Sequence, residues 1–277
     1  MLILRDWIDI NKINWKTLSS NPNAIELLKK NKNKINWEFL SRNSNAIELL
    51  KENQHKINWF YLSENQNAIE LLKENPDKII WSLLSINPNA IEMLKENQDK
   101  INWDLLSLNL NAIDLLKENK DKINWNYLSS NSNAIGLLKE NKDKINWNYL
   151  SENPNAILLL RENQDKINWH NLSMNSNIFE LLKNNKITLL TSLYFSFNKN
   201  IDVIEILKNN QDKINWYYFS QNPNIFTYDY KTMKENMKNS GIAEELMSVI
   251  FHPKNMNKWN NLGFTEHQEF MEFNNNK

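Results

Sequence analysis

Apolar and polar positions follow one another along this chain in a pattern that returns every 22 residues. One copy, Ile35 to Lys56, reads INWEFLSRNSNAIELLKENQHK, and its apolar letters fall three and four residues apart. That spacing places side chains on one face of a helix, whereas a half-buried strand alternates them every second residue. A fixed period of this length indicates a repeat architecture in which each unit stacks on its neighbours.

The first half of each unit predicts a short helix. In the copy from Ile13 to Lys34, Trp15 and Leu18 share one helical face, and Asn14 stands before them as an N-cap. Pro22 ends this helix, because proline has no backbone N–H and restrains the residue before it.

The second half of the unit predicts another short helix. Asn23 is expected to cap its beginning, with Glu26 at the spacing of a capping box, and Ile25 and Leu28 on the apolar face. Asn31 is expected to end it in the left-handed conformation, which Asn adopts more readily than other non-glycine residues. Helices this short are not stable alone, so stacking has to stabilise them.

We therefore predict an all-α solenoid of about ten short helix-pair repeats, with a cap at each end. Leucine-rich repeats have a similar length and an asparagine ladder, but their strand would read L-x-L. The tryptophans are expected to form the structural core, where losing one would cost about 3–5 kcal/mol. They are Trp15, Trp37, Trp59, Trp81, Trp103, Trp125, Trp147, Trp169 and Trp216.

The period divides the chain into segments. Residues 1–12 are interpreted as an N-terminal cap, 13–226 as the repeats, 227–263 as a C-terminal helical cap and 264–277 as a tail. Ser240 to His252 reads as an amphipathic helix within that second cap. The repeat is degenerate around 187–213, where the tryptophan is lost, and we expect the stack to bend there.

Composition narrows the possible functions. The chain has 33 basic and 33 acidic residues, so no overall field favours nucleic acid or an anionic membrane. It has no cysteine, which excludes disulfides and thiolate metal sites. No apolar run approaches the ~18 residues of a membrane helix, and the N-terminus does not read as a signal peptide.

Catalytic chemistry is not indicated. The four histidines, His55, His170, His252 and His267, share no metal-ligand spacing, and the chain has no Gly-rich phosphate loop or hydrolase motif. The recurring carboxylates argue against an active site, which needs different residues converging once. We expect no catalytic residue, no metal site and no cofactor.

Two rows of basic residues leave nucleic-acid binding as an alternative, since helical repeats can track phosphates. Acidic neighbours accompany both rows, so a solvated face is the preferred interpretation. The first row is Lys29, Lys51, Lys73, Lys95, Lys117, Lys139 and Arg161, and the second is Lys34, Lys56, Lys78, Lys100, Lys122, Lys144 and Lys166.

The positions that vary between repeats are the candidates for function, because variable solenoid positions usually face outward. They lie one and two residues after the tryptophan and one residue after the serine of each unit, and we add Leu110 beside them. For the second residue after the tryptophan, an equal alternative is that its side chain is partly buried and fills the space between helices. Our candidate partner-binding residues are Glu38, Phe39, Phe60, Tyr61, Leu83, Ile86, Asp104, Leu105, Leu108, Leu110, Asn126, Tyr127, Asn148, Tyr149, His170 and Met174. Ile86, Leu108, Leu110 and Met174 could form an apolar patch.

The unit INW-x-x-LS-x-N-P-N-AI-x-LL is similar to repeats in proteins encoded by giant DNA viruses of the mimivirus kind. The opening DWIDINKINW and the closing EELMSVIFHPKNMNKW also resemble the ends of such proteins. The resemblance implies a viral protein that acts inside an infected cell, in the host cytoplasm or the virion, and is not secreted. It implies no catalytic residues.

Taken together, the sequence favours a non-enzymatic scaffold that binds a host or viral protein. A nucleic-acid-binding repeat protein and a structural or assembly protein of the virion or viral factory remain the alternatives.

Overall fold

The structure is a computed structural model, and it describes residues 2–181 and 193–240. Leu2–Thr227 form one compact unit that holds all the repeats, and the chain from Tyr228 belongs to a second unit. The predicted all-α repeat solenoid is confirmed, because short helices recur with the 22-residue period from Trp15 to Trp169.

In repeats 1 to 7 a first helix begins at the tryptophan and a second helix begins at an isoleucine; among the described residues, repeats 8 and 10 show such a first helix and repeat 9 such a second helix. The first helices are Trp15–Leu18, Trp37–Ser41, Trp59–Ser63, Trp81–Leu84, Trp103–Leu106, Trp125–Ser130, Trp147–Glu152, Trp169–Leu172 and Trp216–Phe219. The second helices are Ile25–Lys30, Ile47–Lys51, Ile69–Lys73, Ile91–Glu96, Ile113–Glu118, Ile135–Glu140, Ile157–Glu162 and Ile201–Lys208. We number the repeats 1 to 10 from Ile13, with repeat 9 ending at Lys213 and repeat 10 beginning at Ile214.

Short 3-10 helices connect many of these elements. Before second helices they are Pro22–Ala24, Pro88–Ala90, Ser132–Ala134 and Pro154–Ala156. After second helices they are Lys32–Lys34, Gln54–Lys56, Pro76–Lys78, Gln98–Lys100, Lys120–Lys122, Lys142–Lys144, Gln164–Lys166 and Gln211–Lys213. The remaining ones are Ile178–Glu180, Leu193–Phe197 and Pro223–Ile225.

The capping residues follow the prediction in the first helix and depart from it in the second. Asn14 Oδ1 accepts from the Thr17 N–H, as expected of an N-cap. Asn23 is not an N-cap; Ala24 holds that position before the second helix and makes no side-chain cap. Asn31 has φ −127°, so the predicted left-handed C-cap is wrong, and its side chain instead donates to the carbonyl of Leu27. An amide that bonds back to the preceding turn ends the helix without a positive φ.

Leucines and alanines, and not the tryptophans, form the fully buried core. Leu18, Ala24 and Leu28 and their equivalents have no exposed surface along the regular repeats. The tryptophans are only partly buried and pack against this core. In repeats 1 to 7 a lysine at the end of the same repeat lies over the tryptophan ring, with Nζ 4.3–4.7 Å from the ring centroid. The tryptophans were expected to be fully buried, and this expectation is wrong. A lysine side chain covers the outer face of each of these rings.

A ladder of buried asparagines joins each repeat to the one before it. Asn43 shows the pattern, since its Nδ2 donates to the carbonyls of Ser19 and Asn21 in the preceding repeat. Its Oδ1 accepts from the Asn45 N–H within its own repeat. We call this row the asparagine ladder; it consists of Asn21, Asn43, Asn65, Asn87, Asn109, Asn131, Asn153, Asn175, Asn198 and Asn222.

Two further sets of bonds run beside the ladder. Asn45 Nδ2 donates to the carbonyl of Pro22 at 3.0 Å, and the equivalent asparagine makes the same bond in the other repeats. The Ser19 hydroxyl donates to the carbonyl of Trp15 in its own helix and accepts from the N–H of Asn36 in the next repeat. The polar side chains of the unit therefore form hydrogen bonds between repeats as well as helix caps.

The array closes on itself, because repeat 1 bonds to repeat 10 as each repeat bonds to its predecessor. Asn21 Nδ2 donates to the carbonyls of Ser220 and Asn222, both at 3.0 Å. Asn23 Nδ2 donates to the carbonyl of Pro223, and the Asn14 N–H donates to the hydroxyl of Ser220. All ten ladder asparagines thus make the same contact, and the repeats form a closed ring. We call the junction between repeats 10 and 1 the seam.

The N-terminal segment reinforces the seam. Its strand Leu2–Leu4 pairs with the strand Phe226–Tyr228. Arg5 donates to the carbonyls of Ile225 and Asn224. The Trp7 ring lies 5.9 Å from that of Phe219. Residues 1–12 were expected to cover an exposed end of repeat 1, but repeat 10 occupies that end, so the segment fastens two repeats together.

The degenerate repeat lengthens the chain without interrupting the ladder. Asn198 Nδ2 donates to the carbonyls of Ser173 and Asn175, and Asn222 donates to those of Ser196 and Asn198. Two of the three extra residues fall between Asn198 and the end of the helix Ile201–Lys208, which is longer than the other second helices. The bonds between repeats thus continue where we expected the stack to bend. Residues 182–192 lie outside the described part.

The second unit contains one described helix, Tyr230–Asn239, whose residues are all exposed. It lies within residues 227–263, which were predicted as a helical cap, although no helix was predicted at these particular residues. The predicted helix from Ser240 to His252 and the predicted tail at 264–277 lie outside the described residues, apart from Ser240. Within the described residues, no helix is both long and apolar enough to cross a membrane.

Candidate partner-binding surface

The first helices lie on the inner side of the ring. Neighbouring first helices, such as Trp125–Ser130 and Trp147–Glu152, contact one another more extensively than neighbouring second helices do. The ladder also joins the repeats at the turn that follows the first helix. Because the repeats of a closed ring approach most closely on its inner side, the second helices lie further out.

Most of the exposed candidates lie directly after a tryptophan. Phe60 is 51% exposed, which is high for an aromatic side chain. Asp104, Asn126, Asn148 and His170 are also exposed, whereas Glu38 is partly buried.

The second residue after each tryptophan lies between neighbouring repeats. Phe39, Tyr61, Leu83, Leu105, Tyr127 and Tyr149 are all partly buried. The rings of Phe39 and Tyr61 lie 6.1 Å apart, and those of Tyr127 and Tyr149 lie 6.0 Å apart edge to face. These side chains thus fill part of the space between repeats and remain partly exposed. Their role in partner binding stays a prediction.

Repeats 1 to 3 bring aromatic and charged side chains together. The Phe60 ring stands edge-on to Tyr61 at 5.3 Å, and the Arg42 guanidinium lies over the Tyr61 ring at 5.6 Å. Lys16 Nζ lies 5.1 Å from the Phe39 ring centroid. We call these five residues, Lys16, Phe39, Arg42, Phe60 and Tyr61, the aromatic cluster.

Two carboxylates border the aromatic cluster. Arg42 Nε lies 3.0 Å from Glu64 Oε1, although no aligned hydrogen bond reaches that oxygen. Burial raises the pKa of the Glu64 carboxyl, and the Arg42 charge lowers it by less. Desolvation, together with the neighbouring Glu38 carboxylate, raises the pKa of the Tyr61 hydroxyl.

Polar side chains occupy the same surface in repeats 5 to 8. Asn124 Nδ2 donates to the Asp104 carboxylate, Asn146 Nδ2 to Asn126 Oδ1, and Asn168 Nδ2 to Asn148 Oδ1, at 2.8–3.0 Å. Each N-cap asparagine thus uses its second amide atom to hold the exposed residue of the preceding repeat. This part of the surface is polar and fixed in place.

The proposed apolar patch is only partly accessible. Leu110 is 44% exposed, but Ile86, Leu108 and Met174 are partly buried. In the same row, burial raises the pKa of the Glu152 carboxyl, and a hydrogen bond with Ser130 lowers it by less. The aromatic cluster is therefore the more accessible apolar feature on the first helices.

Most residues of the two basic rows contact a carboxylate or a tryptophan ring. In repeats 1 to 4 the lysine of the first row contacts a glutamate three residues earlier at 3.0–3.1 Å. Lys117 and Arg161 contact Asp114 and Glu180 at 3.8 and 3.6 Å. The second row lies over the tryptophans. Both rows thus contribute to the architecture of the repeat.

Several exposed apolar residues of the repeats escaped the sequence analysis, among them Leu158, Ile201 and Tyr217. Leu158 is 61% exposed on a second helix, and Tyr217 is 44% exposed at the position equivalent to Phe60. Leu158 stands where repeats 1 to 4 have glutamate, which was a usable signal. Arg42 and Lys16 were also missed, because only their contacts show that they belong with the aromatic rings.

No cluster of three or more His, Asp or Glu side chains able to hold a metal is present in residues 2–181 and 193–240. The chain matches no protein-family model, no curated protein and no solved structure.

Proposed function

We propose that this protein is a non-enzymatic scaffold that binds a protein partner through the variable positions of its first helices, with the aromatic cluster as the main contact. The observation that carries the proposal is the exposure of Phe60 on a framework whose regular residues all serve construction of the ring. The resemblance to giant-virus repeats suggests that the partner is a host or viral protein in an infected cell.

The architecture accounts for the constant residues of the unit. Asparagines form caps and the ladder, serines bond across repeats, leucines and alanines fill the core, and lysines lie over tryptophans. These roles need no external ligand. A binding function is therefore best sought at positions that vary, and the variable first-helix positions include the exposed Phe60.

The chemistry of the aromatic cluster suits a protein surface. Tyrosine and arginine are over-represented among the residues that carry most of the free energy at protein interfaces. Tyr61 is held by Phe39, Phe60 and Arg42 before any partner binds, so little conformational freedom is lost on binding. Glu38 and Glu64 supply acceptors beside the apolar contact.

Nucleic-acid binding has weaker support. A phosphate-tracking surface needs cations free to replace counterions. Here most cations of the first row lie beside carboxylates, those of the second row lie over tryptophan rings, and the net charge is zero. A structural role in the virion has no specific contact in its favour.

The proposal is tested by affinity capture of partners from an extract of infected cells. The test variant is Phe60→Ala. The control is Leu158→Ala, which removes an exposed apolar side chain from a second helix. A protein captured by wild type is then purified, and its dissociation constant is measured against each variant. We expect Phe60→Ala to weaken binding about tenfold or more, and Leu158→Ala to leave it unchanged.

Equal affinity of wild type and Phe60→Ala would contradict the proposed surface. Nuclease treatment and a salt titration separate the alternative, because capture that depends on RNA or DNA and falls steeply with salt would indicate nucleic-acid binding.

A further inference from the structure

The seam differs from every other junction of the ring in one respect, because no continuous stretch of chain crosses it. Repeats 10 and 1 are held by hydrogen bonds and packing alone. The face of repeat 1 supplies donors from Asn14, Thr17, Asn21 and Asn23. The face of repeat 10 supplies the Ser220 hydroxyl and the carbonyls of Tyr217, Ser220, Asn222 and Pro223.

The two faces are complementary and well buried. Asn21, Thr17, Phe219 and Ser220 have no exposed surface. The contacts match those of the internal junctions, including Lys12 Nζ at 5.7 Å from the Trp216 ring centroid, which is the counterpart of the repeated contact between lysine and tryptophan. The Thr17 hydroxyl also donates to the carbonyl of Tyr217. Each face therefore recognises the other specifically, and neither is complementary to itself.

A pair of different, complementary faces on one chain can close within the chain or join separate chains head to tail. We propose that the seam is an exchangeable interface, in which the repeat 1 face of one chain binds the repeat 10 face of a second copy of this chain. Closure within the chain dominates at low concentration, because tethering gives the two faces a high effective concentration. At high concentration an open seam meets a second chain before it closes, and the two copies then exchange faces.

Complementation between two seam variants of the full chain tests the proposal. The first variant carries Asn21→Leu and Asn23→Leu, which damages only the repeat 1 side of the seam. The second carries Ser220→Leu, which damages only the repeat 10 side. Neither variant can form an intact seam alone. In a mixture, the intact repeat 10 face of the first can bind the intact repeat 1 face of the second.

We expect each variant alone to have the mass of one chain in light scattering, and the mixture to contain a species of twice that mass. The matched control carries Asn109→Leu and Asn111→Leu, which remove the same bonds from an internal junction. Mixed with Ser220→Leu, the control should give single chains only, because its own seam is intact. A mixture of the two seam variants that stays at single-chain mass, while each keeps the wild-type helical signal, would overturn the proposal.

The wild-type chain provides a second test that needs no folded variant. Two forms with different affinity tags are unfolded together and refolded at low and at high protein concentration. We expect one tag to capture the other after joint refolding at high concentration, and not after joint refolding at low concentration. Absence of co-capture at every concentration would contradict the inference.

Discussion

Replacement of a single ladder asparagine should destabilise the ring far more than replacement of its exposed neighbour. Asn109 has no exposed surface, and its Nδ2 donates to the carbonyls of Ser85 and Asn87 at 2.9 and 2.8 Å. Its Oδ1 accepts from the Asn111 N–H at 2.9 Å. Asn109→Ala removes all three bonds, whereas the bond from the Ala90 N–H to the carbonyl of Asn87 remains.

The magnitude follows from the number and burial of these bonds. A typical hydrogen bond contributes about 0.5–1.5 kcal/mol, and a buried group left without a partner costs about 1–3 kcal/mol more. We therefore expect Asn109→Ala to lower the free energy of unfolding by about 3–5 kcal/mol. Asn111 is exposed and loses a single bond, to the carbonyl of Pro88, so Asn111→Ala should cost less than about 1 kcal/mol.

Guanidinium denaturation followed by far-ultraviolet circular dichroism measures both variants against wild type. The pair is matched, because the same residue type is changed two positions apart and each amide bonds to the preceding repeat. A loss of under about 1 kcal/mol for Asn109→Ala, or equal losses for the two variants, would refute the view that burial gives the ladder its strength.

Four further substitutions have defined expectations. Trp103→Ala should cost about 2–3 kcal/mol, less than for a fully buried tryptophan, and Lys122→Ala, which removes the cation 4.3 Å from that ring centroid, should cost about 0.5–1 kcal/mol. Gly136→Ala should stabilise the chain by about 0.5–1 kcal/mol, because Gly136 is exposed within the helix Ile135–Glu140 and nothing lies within 4 Å of an added Cβ. Glu64→Gln should alter the dependence of stability on pH.

The sign of the Glu64 effect follows from its raised pKa. Between the unfolded and the folded pKa the folded state binds more protons, so stability falls as the pH rises through this window. Melting temperatures of wild type minus those of Glu64→Gln should therefore decrease from acid towards neutral pH. A constant difference would contradict a raised pKa. The stability of the other variants is measured from their denaturation midpoints. Equal losses of stability for Trp103→Ala and Lys122→Ala, or a lower stability of Gly136→Ala than of wild type, would contradict the expected packing.

The period and the spacing of apolar residues were sufficient to predict the repeat, its two short helices and the Asn14 cap. These features depend on residues close in sequence, whose relative positions the helix geometry determines. The candidate surface was predicted only in part. Variation between repeats pointed to Phe60 and Tyr61, but the contributions of Arg42 and Lys16 depend on contacts between repeats.

The sequence by itself determined the repeating unit, because capping and helical faces are local properties. Only the tertiary structure decided that Asn21 bonds to Ser220 and Asn222, and thus that the repeats form a ring without free ends. Closure depends on the small rotation between successive repeats, accumulated over the whole array. The sequence of one unit does not determine this total rotation. Asn21 occupies the same position in its repeat as Asn43. Asn21 bonds to residues about 200 positions away only because the first and last repeats meet.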